Sequence, residues 1–159
     1  MSVLGVYGVE HATSMIYYGL HTMQHRGQEG CGIVSVDAEG NMWIAESGAG
    51  VACAKNNADG AIEIHHFGVD DGLINNRVRD LQLDKDGNLW IMTENGVSKF
   101  IMSSRSFVNY HFANNNQGNT HNFGSAVMLP SGIIVAGTND GLVSIDPDLI
   151  KNTPQQKRD

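Results

Sequence analysis

The chain has 159 residues, with 10 lysines and arginines against 17 aspartates and glutamates, and its formal net charge is −7. Basic residues this few and this scattered argue against a nucleic-acid partner, because phosphate binding needs clustered cations. No segment has the ~20 consecutive apolar residues of a membrane helix, and no leader-like segment opens the sequence. As written, the sequence predicts a cytoplasmic globular protein that binds neither nucleic acid nor membranes, and it indicates no cofactor.

The first part of the chain is predicted to form a strand followed by a helix. Residues 3–8 are a short apolar run suited to a buried strand. In residues 10–24, apolar side chains recur at the i, i+3, i+4 spacing of one helical face. A polar, glycine-rich turn follows over residues 24–30, and Gly27 within it ends the predicted helix.

Three motifs occur in order in this segment: Leu-Gly-Val-Tyr-Gly (residues 4–8), Tyr-Tyr-Gly-Leu (17–20) and Gln-His-Arg-Gly-Gln-Glu-Gly (24–30). The segment resembles the N-terminus of amidophosphoribosyltransferase, a glutamine amidotransferase with an N-terminal cysteine nucleophile. The resemblance implies that Arg26 corresponds to the arginine that holds the glutamine carboxylate. The nucleophile position falls on Met1, whose thioether has no proton to lose. We therefore expect a remnant without catalytic residues.

The remainder of the chain is organised around a repeated string. Asp-Ala-Glu-Gly-Asn-Met-Trp-Ile (residues 37–44) is followed by Asp-Lys-Asp-Gly-Asn-Leu-Trp-Ile (84–91) and by a diverged copy, Leu-Pro-Ser-Gly-Ile-Ile-Val-Ala (129–136). The central glycines of the three copies are 47 and 45 residues apart. In each copy a turn precedes apolar or β-branched residues of the kind that favour strands. A period of this length is typical of stacked repeats such as propeller blades.

The predicted fold is mainly β: a partial β-propeller of about three four-stranded antiparallel blades, with a short N-terminal strand–helix segment. We predict that residues 1–33 form the amidotransferase-like prefix and that residues 151–159 form a polar tail. The blade repeats cover 34–150, divided as 34–77, 78–122 and 123–150. The third unit lacks a clear fourth strand, and we expect residues 3–8 to supply the strand that closes it.

The blade region resembles a second family. The motifs are Gly-Leu-Ile-Asn-Asn-Arg-Val (residues 72–78), Asp-Gly-Asn-Leu-Trp-Ile (86–91) and Gly-Thr-Asn-Asp-Gly-Leu-Val-Ser-Ile-Asp-Pro (137–147). They are similar to the repeats of two-component regulator propellers. The resemblance implies the periplasmic sensor region of hybrid histidine kinases that detect glycans. Because two unrelated families meet in one chain, the sequence indicates a chimera.

The cysteines and two helical histidines are candidates for a disulfide or a metal. Cys31 and Cys53 are too few for a disulfide framework and lie among small or apolar residues, so we predict buried, inert thiols. His21 and His25 have the i, i+4 spacing of a metal pair, but no third ligand accompanies them. No metal site is predicted.

Histidines and tryptophans in the repeats are expected to have structural roles. His65, His66 and His111 lie near predicted strand ends, where surface or cross-strand contacts are favoured over catalysis. Trp43 and Trp90 occupy equivalent positions in two repeats, which favours packing anchors over ligand platforms.

The connector between the second and third repeats is the strongest candidate for a binding site. Asparagine and glutamine supply both hydrogen-bond donors and acceptors, and a neighbouring aromatic ring can stack on a sugar. The predicted ligand-binding residues are Tyr110, Asn114, Asn115, Asn116, Gln117, Asn119 and His121. A solvated loop without a ligand is the alternative.

Three functions remain open from the sequence. The first is a non-catalytic module that binds a ligand, such as a carbohydrate, or a protein. The second is an inactive remnant of a glutamine amidotransferase, and the third is a small acidic protein that binds and inhibits or neutralises a protein partner. Open blade edges also favour a homo-oligomer or a protein partner, since unpaired strand edges invite another chain.

The amidotransferase alternative gives the first testable prediction. Incubation of the purified chain with glutamine should release no glutamate, because the nucleophile position carries a thioether. A chain with Cys at position 1 is the matched comparison. Release of glutamate by the unchanged chain, or its restoration by that cysteine, would favour the amidotransferase over the binding module.

Overall fold

A computed structural model describes residues 34–46, 48–111 and 120–151. In this part of the chain, eleven β-strands form three antiparallel sheets, accompanied by a 3-10 turn and a short helix. The predicted mainly-β fold built from blade-like repeats is confirmed here. The predicted strand–helix prefix (1–33) and nearly all of the predicted tail lie outside the described residues.

The strands follow one another in space as they do in sequence. Sheet 1 contains β1 (Val34–Val36), β2 (Met42–Glu46), β3 (Gly50–Asn56) and β4 (Ile62–Phe67). Sheet 2 contains β5 (Val78–Leu83), β6 (Leu89–Thr93), β7 (Gly96–Ile101) and β8 (Ser106–Tyr110). Sheet 3 contains β9 (His121–Met128), β10 (Ile134–Thr138) and β11 (Gly141–Ile145), and helix α1 (Pro147–Lys151) follows it.

Two details of sheet 3 differ from a regular four-stranded blade. Its described residues form three strands, in agreement with the missing fourth strand noted in the sequence. Strand β9 was predicted from residue 123 but begins at His121. His121 belongs to β9 because it pairs with Thr138 of β10, although the register shifts between Ala136 and Thr138. The residues between His121 and Ala126 therefore bulge from the ladder.

The two cores lie between neighbouring sheets, and strand alternation determines which residues enter each core. In β6, Leu89 and Ile91 face sheet 1, and they join a core that includes Trp43 and Phe100. The intervening residues Trp90 and Met92 face sheet 3, where Val97, Ile134, Ala136 and Ile145 complete the second core. Sheets 1 and 2 thus bury both faces of their central strands, as stacked blades do. In sheet 3, the central strand β10 buries the face toward sheet 2, and its alternate residues are partly exposed.

Both repeat tryptophans are packing anchors, as predicted. Trp43 is 1% exposed and Trp90 is fully buried. The Trp43 ring lies 5.0 Å from Phe100 and 5.7 Å from Phe67, between sheets 1 and 2. Aromatic rings at these separations add to the stabilisation that burial alone provides.

A buried aspartate organises the turn before Trp90. Asp84 Oδ1 accepts hydrogen bonds from the backbone N–H groups of Asp86 and Asn88, each at 2.9 Å. Its second oxygen accepts the indole N–H of Trp90 at 2.8 Å, and Lys99 Nζ lies 4.0 Å away. One carboxylate therefore fixes both the β5–β6 turn and the position of the tryptophan that follows it.

The first repeat uses the same arrangement, and the third has lost it. In sheet 1, Asp37 accepts from the backbone N–H of Asn41 at 2.9 Å and from the Trp43 indole at 3.0 Å. At the corresponding position in sheet 3, Leu129 makes only the backbone hydrogen bonds of the turn. Its N–H donates to the carbonyl of Ile133, and its carbonyl accepts from the N–H of Gly132, each at 2.8 Å. The third copy therefore has neither the carboxylate nor the indole.

Asp84→Ala should lower the free energy of unfolding by about 3 kcal/mol, because it removes a buried acceptor and leaves the Trp90 indole and the Lys99 ammonium without it. Asp70→Ala, at an exposed position in the first connector, should cost less than about 0.5 kcal/mol. Urea unfolding followed by tryptophan fluorescence measures both. Equal effects for the two variants would show that the carboxylate does not organise the turn.

Candidate functional site

The sheets have two different ends. The turn end carries the β1–β2, β5–β6 and β9–β10 turns, including the two aspartate-organised turns. The connector end carries the β2–β3, β6–β7 and β10–β11 turns, the segment that crosses from sheet 1 to sheet 2 (residues 68–77), the end of β8 and the start of β9. Antiparallel meanders place these features at opposite ends. Of the residues predicted to bind a ligand, Tyr110 and His121 are described, and both lie at the connector end.

The first connector is a compact, hydrogen-bonded turn. A 3-10 helix spans Val69–Asp71, and the N–H of Gly68 donates to Asp71 Oδ2 at 2.8 Å. The Val69 N–H donates to Asn76 Oδ1 at 3.0 Å, which ties the start of the connector to its end. Leu73 is 3% exposed and packs into the core between sheets 1 and 2.

Sheet 2 holds this connector through a chain of polar side chains. The Ile74 N–H donates to Ser98 Oγ at 2.9 Å, and Ser98 Oγ donates to Asn109 Oδ1 at 2.6 Å. The Asn109 amide nitrogen then donates to the carbonyl of Gly72 at 2.9 Å. These polar groups are used to build the connector end, which gives the first connector a defined shape.

Two repeated turns complete the connector end. Thr93 Oγ1 donates to the carbonyl of Gly96 at 2.8 Å, and Thr138 Oγ1 donates to the carbonyl of Gly141 at 3.2 Å. His121 is 2% exposed, and its Nδ1 donates to the carbonyl of Thr93 at 3.0 Å. This bond links the start of sheet 3 to the end of β6.

Two side chains of β5 bind the backbone of β9 directly. Asp80 Oδ2 accepts the N–H of Ala126 at 2.7 Å, and the Gln82 amide donates to the carbonyl of Ala126 at 3.0 Å. Asp80 Oδ1 accepts the N–H of Leu81 at 2.8 Å. Burial raises the pKa of the Asp80 carboxyl above its ordinary value of 3.8, and the two backbone hydrogen bonds offset only part of this effect.

Ion pairs and exposed amides occupy the rim of the connector end. Glu94 pairs with Arg79, and its second oxygen lies 3.6 Å from Arg77 Nε. Exposed residues with neutral hydrogen-bonding side chains at the same end include Asn95, His111, Asn122 and Asn139. A polar ligand at this end would therefore meet both charged and neutral hydrogen-bonding groups.

Sheet 1 differs from the other two at this end, because Glu46 stands where they have Thr93 and Thr138. Glu46 is 5% exposed, and its Oε2 accepts a hydrogen bond from His66 Nδ1 at 3.0 Å. His65 Nε2 lies 2.7 Å from Glu63 Oε1. The predicted surface or cross-strand roles of His65 and His66 are confirmed.

The structure describes only two of the predicted ligand-binding residues. The Tyr110 ring is half-buried and stacks on Trp90 with a centroid distance of 5.6 Å, so this face of the ring is already occupied. Burial raises the pKa of the Tyr110 hydroxyl above 10.0. His121 is buried against Thr93. The predicted residues that lie outside the described range are Asn114, Asn115, Asn116, Gln117, Asn119 and Arg26, whose binding roles stay predictions.

The sequence interpretation missed Asp80, Ser98 and Asn109. Asp80 could have been flagged, because a charged residue lies between the apolar Val78 and Leu81 in a strand that is otherwise suited to burial. The remaining two are polar residues in strands, where sequence alternation does not separate a buried hydrogen-bonding role from an exposed one.

Possible metal ligands and the Cys53 thiol were considered as sites of chemistry among the described residues. Within them, no group of three or more histidine, cysteine, aspartate or glutamate side chains is placed to hold a metal ion. Cys53 is a buried free thiol, and burial raises its pKa to about 11. Its buried environment agrees with the sequence prediction, and a protonated thiol is a poor nucleophile. No helix in the described part of the chain is long and apolar enough to cross a membrane.

Comparison with known proteins supports the propeller resemblance. A family model described as two component regulator propeller matches residues 72–95. The chain is similar to the extracellular domain of a protein described as a hybrid two-component system from B. thetaiotaomicron, at 31% identity and a TM-score of 0.66. The similarity covers 77% of this chain and 16% of that domain. A second hybrid two-component extracellular domain from the same organism has a TM-score of 0.60 at 21% identity, and it covers 86% of this chain and 19% of that one.

The amidophosphoribosyltransferase resemblance is confirmed over a shorter stretch. The Bacillus subtilis (strain 168) enzyme is 60% identical over 37 residues, which is 23% of this chain and 8% of the enzyme. The Lacticaseibacillus casei enzyme is 55% identical over 38 residues, or 24% of this chain and 20% of the enzyme. The chain thus spans at most a fifth of the length of each of these proteins.

Asp80→Asn should change the pH dependence of stability. The folded protein retains the Asp80 proton to a higher pH than the unfolded chain, whose carboxyl titrates near 3.8. The contribution of Asp80 to the unfolding free energy therefore falls as the pH rises from the pKa of the unfolded chain to that of the folded protein. Above the folded-state pKa, this loss of stability remains constant. The unfolding free energy of Asp80→Asn minus that of the unchanged chain should accordingly increase between about pH 3 and pH 7.

Urea unfolding at several pH values measures this difference. The amide of the Asp80→Asn variant loses part of the hydrogen bonding at every pH, so the informative quantity is the slope with pH and not the offset. Asp70→Asn is the control for removing one negative charge at an exposed position. A difference that stays constant or decreases with pH would contradict a raised carboxyl pKa.

Proposed function

We propose that this chain is a non-catalytic binding module of the sensor-propeller type and that its ligand binds at the connector end. The observation that carries the proposal is the 31% identity to an extracellular two-component sensor domain across 77% of the chain. That protein is extracellular by its description, so the proposal places the binding activity outside the cytoplasm, in contrast to the sequence expectation.

The contrast between the two ends supports the connector end as the binding face. At the turn end, the carboxylates of Asp37 and Asp84 are occupied by backbone N–H groups and by the tryptophan indoles. At the connector end, Asn95, His111, Asn122 and Asn139 are exposed around defined turns. Polar groups held on a rigid framework are suited to recognition, because little conformational freedom is lost on binding.

A neutral oligosaccharide is the ligand class that best fits this face. The net charge of −7 disfavours polyanions. The second connector contains Asn114, Asn115, Asn116 and Gln117, which can donate to and accept from sugar hydroxyl groups. The glycan-sensing role implied by the propeller resemblance points to the same chemistry.

Thermal unfolding in the presence of neutral oligosaccharides tests the proposal. A ligand at about 100 times its Kd should raise the melting temperature of a domain of this size by roughly 5–10 °C. The double variant Asn114→Ala/Asn115→Ala should lose this shift while keeping the melting temperature of the ligand-free protein.

The matched control is Asn56→Ala/Asn57→Ala, which removes two asparagines around the start of the β3–β4 turn at the turn end. It should retain the full ligand-induced shift. A panel without any stabilising sugar would rule out the ligand class. Loss of binding in the control, with binding kept in the connector variant, would place the ligand at the turn end.

A further inference from the structure

Sheet 1 is buried on the side that points away from sheet 2. Strand alternation puts Trp43, Ala45 and Cys53 into the core with sheet 2. The alternate side chains point to the opposite side. We call this set the outward face of sheet 1: Met42, Ile44, Ala52, Ala54, Ile62 and Ile64. The members on the central strands β2 and β3 are at most 2% exposed.

Sheet 1 cannot bury its outward face by itself. Within the described part of the chain, the apolar cluster formed by this face contains residues of sheet 1 alone. Side chains on one face of a sheet stand side by side, so they cover the flanks of their neighbours and not their ends. Complete burial of Met42 and Ile44 therefore requires a second layer, as for any apolar face of a sheet.

The stretch of chain that adjoins sheet 1 is residues 1–33, which lead directly into β1. The other long stretches outside the described ranges are 112–119 and 152–159, which adjoin sheets 2 and 3. Sheet 2 shares one core with sheet 1 and another with sheet 3, so it stands between those stretches and the outward face of sheet 1. Chain connectivity therefore favours residues 1–33 as the second layer.

The outward face of sheet 1 is low along its middle. Strand β3 contributes only the methyl groups of Ala52 and Ala54, whereas the flanking strands contribute the longer side chains of Met42, Ile44 and Ile64. A row of small side chains between two rows of larger ones forms a trough that runs along β3. The 7 residues of β3 give this trough a length of about 23 Å.

The equivalent face of sheet 2 has no such trough. Phe100 pairs with Leu89 in sheet 2, just as Ala54 pairs with Met42 in sheet 1, so a methyl group replaces a phenyl ring. In sheet 2 that ring fills the core with sheet 1 and lies 5.0 Å from Trp43. The space left in sheet 1 suits a convex partner such as an α-helix better than the flatter surface of another sheet.

Residues 10–24 have the length and the pattern of such a partner. Their apolar face at helical spacing consists of Ala12, Met15, Ile16, Gly19, Leu20 and Met23. A helix over this range would be about 22 Å long, which matches the trough. The residues between 24 and β1 can span up to about 30 Å, which is enough to return the chain from either end of the trough to the start of β1.

We infer that residues 10–24 form a helix whose apolar face lies in the trough on the outward face of sheet 1. The amidotransferase-like segment thereby caps the first blade on the side where a closed propeller has another blade. This placement disfavours the expected pairing of residues 3–8 with sheet 3, because sheet 2 would stand between them. The inference is independent of the ligand proposed above, since it concerns the outward face and not the connector end.

Thiol labelling of the full chain tests the inference. In a background with Cys31→Ser and Cys53→Ala, Ala52→Cys places one thiol in the trough, where the helix should protect it from a maleimide. Ile16→Asp puts a charge into the apolar face of the helix and should raise the labelling rate at least about 10-fold, because the face then opens more readily. His21→Asp puts the same charge on the opposite side of the predicted helix and should leave the rate unchanged.

A thiol on the other face of sheet 1 shows whether the opening is local. Val51→Cys faces sheet 2 and should stay protected in both aspartate variants. If Ile16→Asp exposes this thiol as well, the milder Ile16→Ala is measured in the same way.

Three results would overturn the inference. The first is fast labelling of the Ala52→Cys thiol when residues 10–24 are unchanged. The second is labelling that stays equally slow in the Ile16 variants. The third is labelling that slows as the protein concentration rises, because a second copy would then be the layer that covers this face.

Discussion

A carboxylate that binds both a turn and an indole is the interaction on which the rest of this structure depends. Asp84 holds the β5–β6 turn through two backbone N–H groups and fixes Trp90 through its ring N–H. Because strand side chains alternate between faces, fixing the start of β6 decides that Ile91 faces sheet 1 and Trp90 faces sheet 3. A slip of one residue would exchange the two cores, and the hydrogen bond to the indole opposes it.

Directional bonds between sheets 2 and 3 complement this arrangement. The backbone of Ala126 is bound on both its N–H and its carbonyl by Asp80 and Gln82, and His121 reaches the carbonyl of Thr93. Apolar packing alone would allow neighbouring sheets to slide, whereas these bonds define one relative position. The cost is a carboxylate whose ionised form is disfavoured by burial. The same contacts fix where the connector end of sheet 2 lies against that of sheet 3.

The third repeat departs from the first two in a consistent direction. It has no carboxylate at Leu129, no indole at Val135 and no ammonium at Ser144, and it exposes the apolar residues Val127 and Leu142. The third repeat therefore keeps the backbone hydrogen bonds of the turn without the polar side chains that organise it in the first two repeats.

The sequence by itself determined the repeat period, the mainly-β class, the turns and the burial of both tryptophans, because these depend on local turn chemistry and on alternation within one strand. It also contained both family resemblances. Only the tertiary structure decided that Asp80 and Gln82 bind Ala126 and that His121 is buried against Thr93, because these contacts join residues 28 to 46 positions apart that no local pattern pairs. The bond from Trp90 to Asp84 has the same spacing in the first repeat, but the spacing alone does not show that the two side chains meet. The exposure of Leu142 was equally hidden, since its sequence context matches that of the buried Val97 and only the presence or absence of a neighbouring sheet separates them.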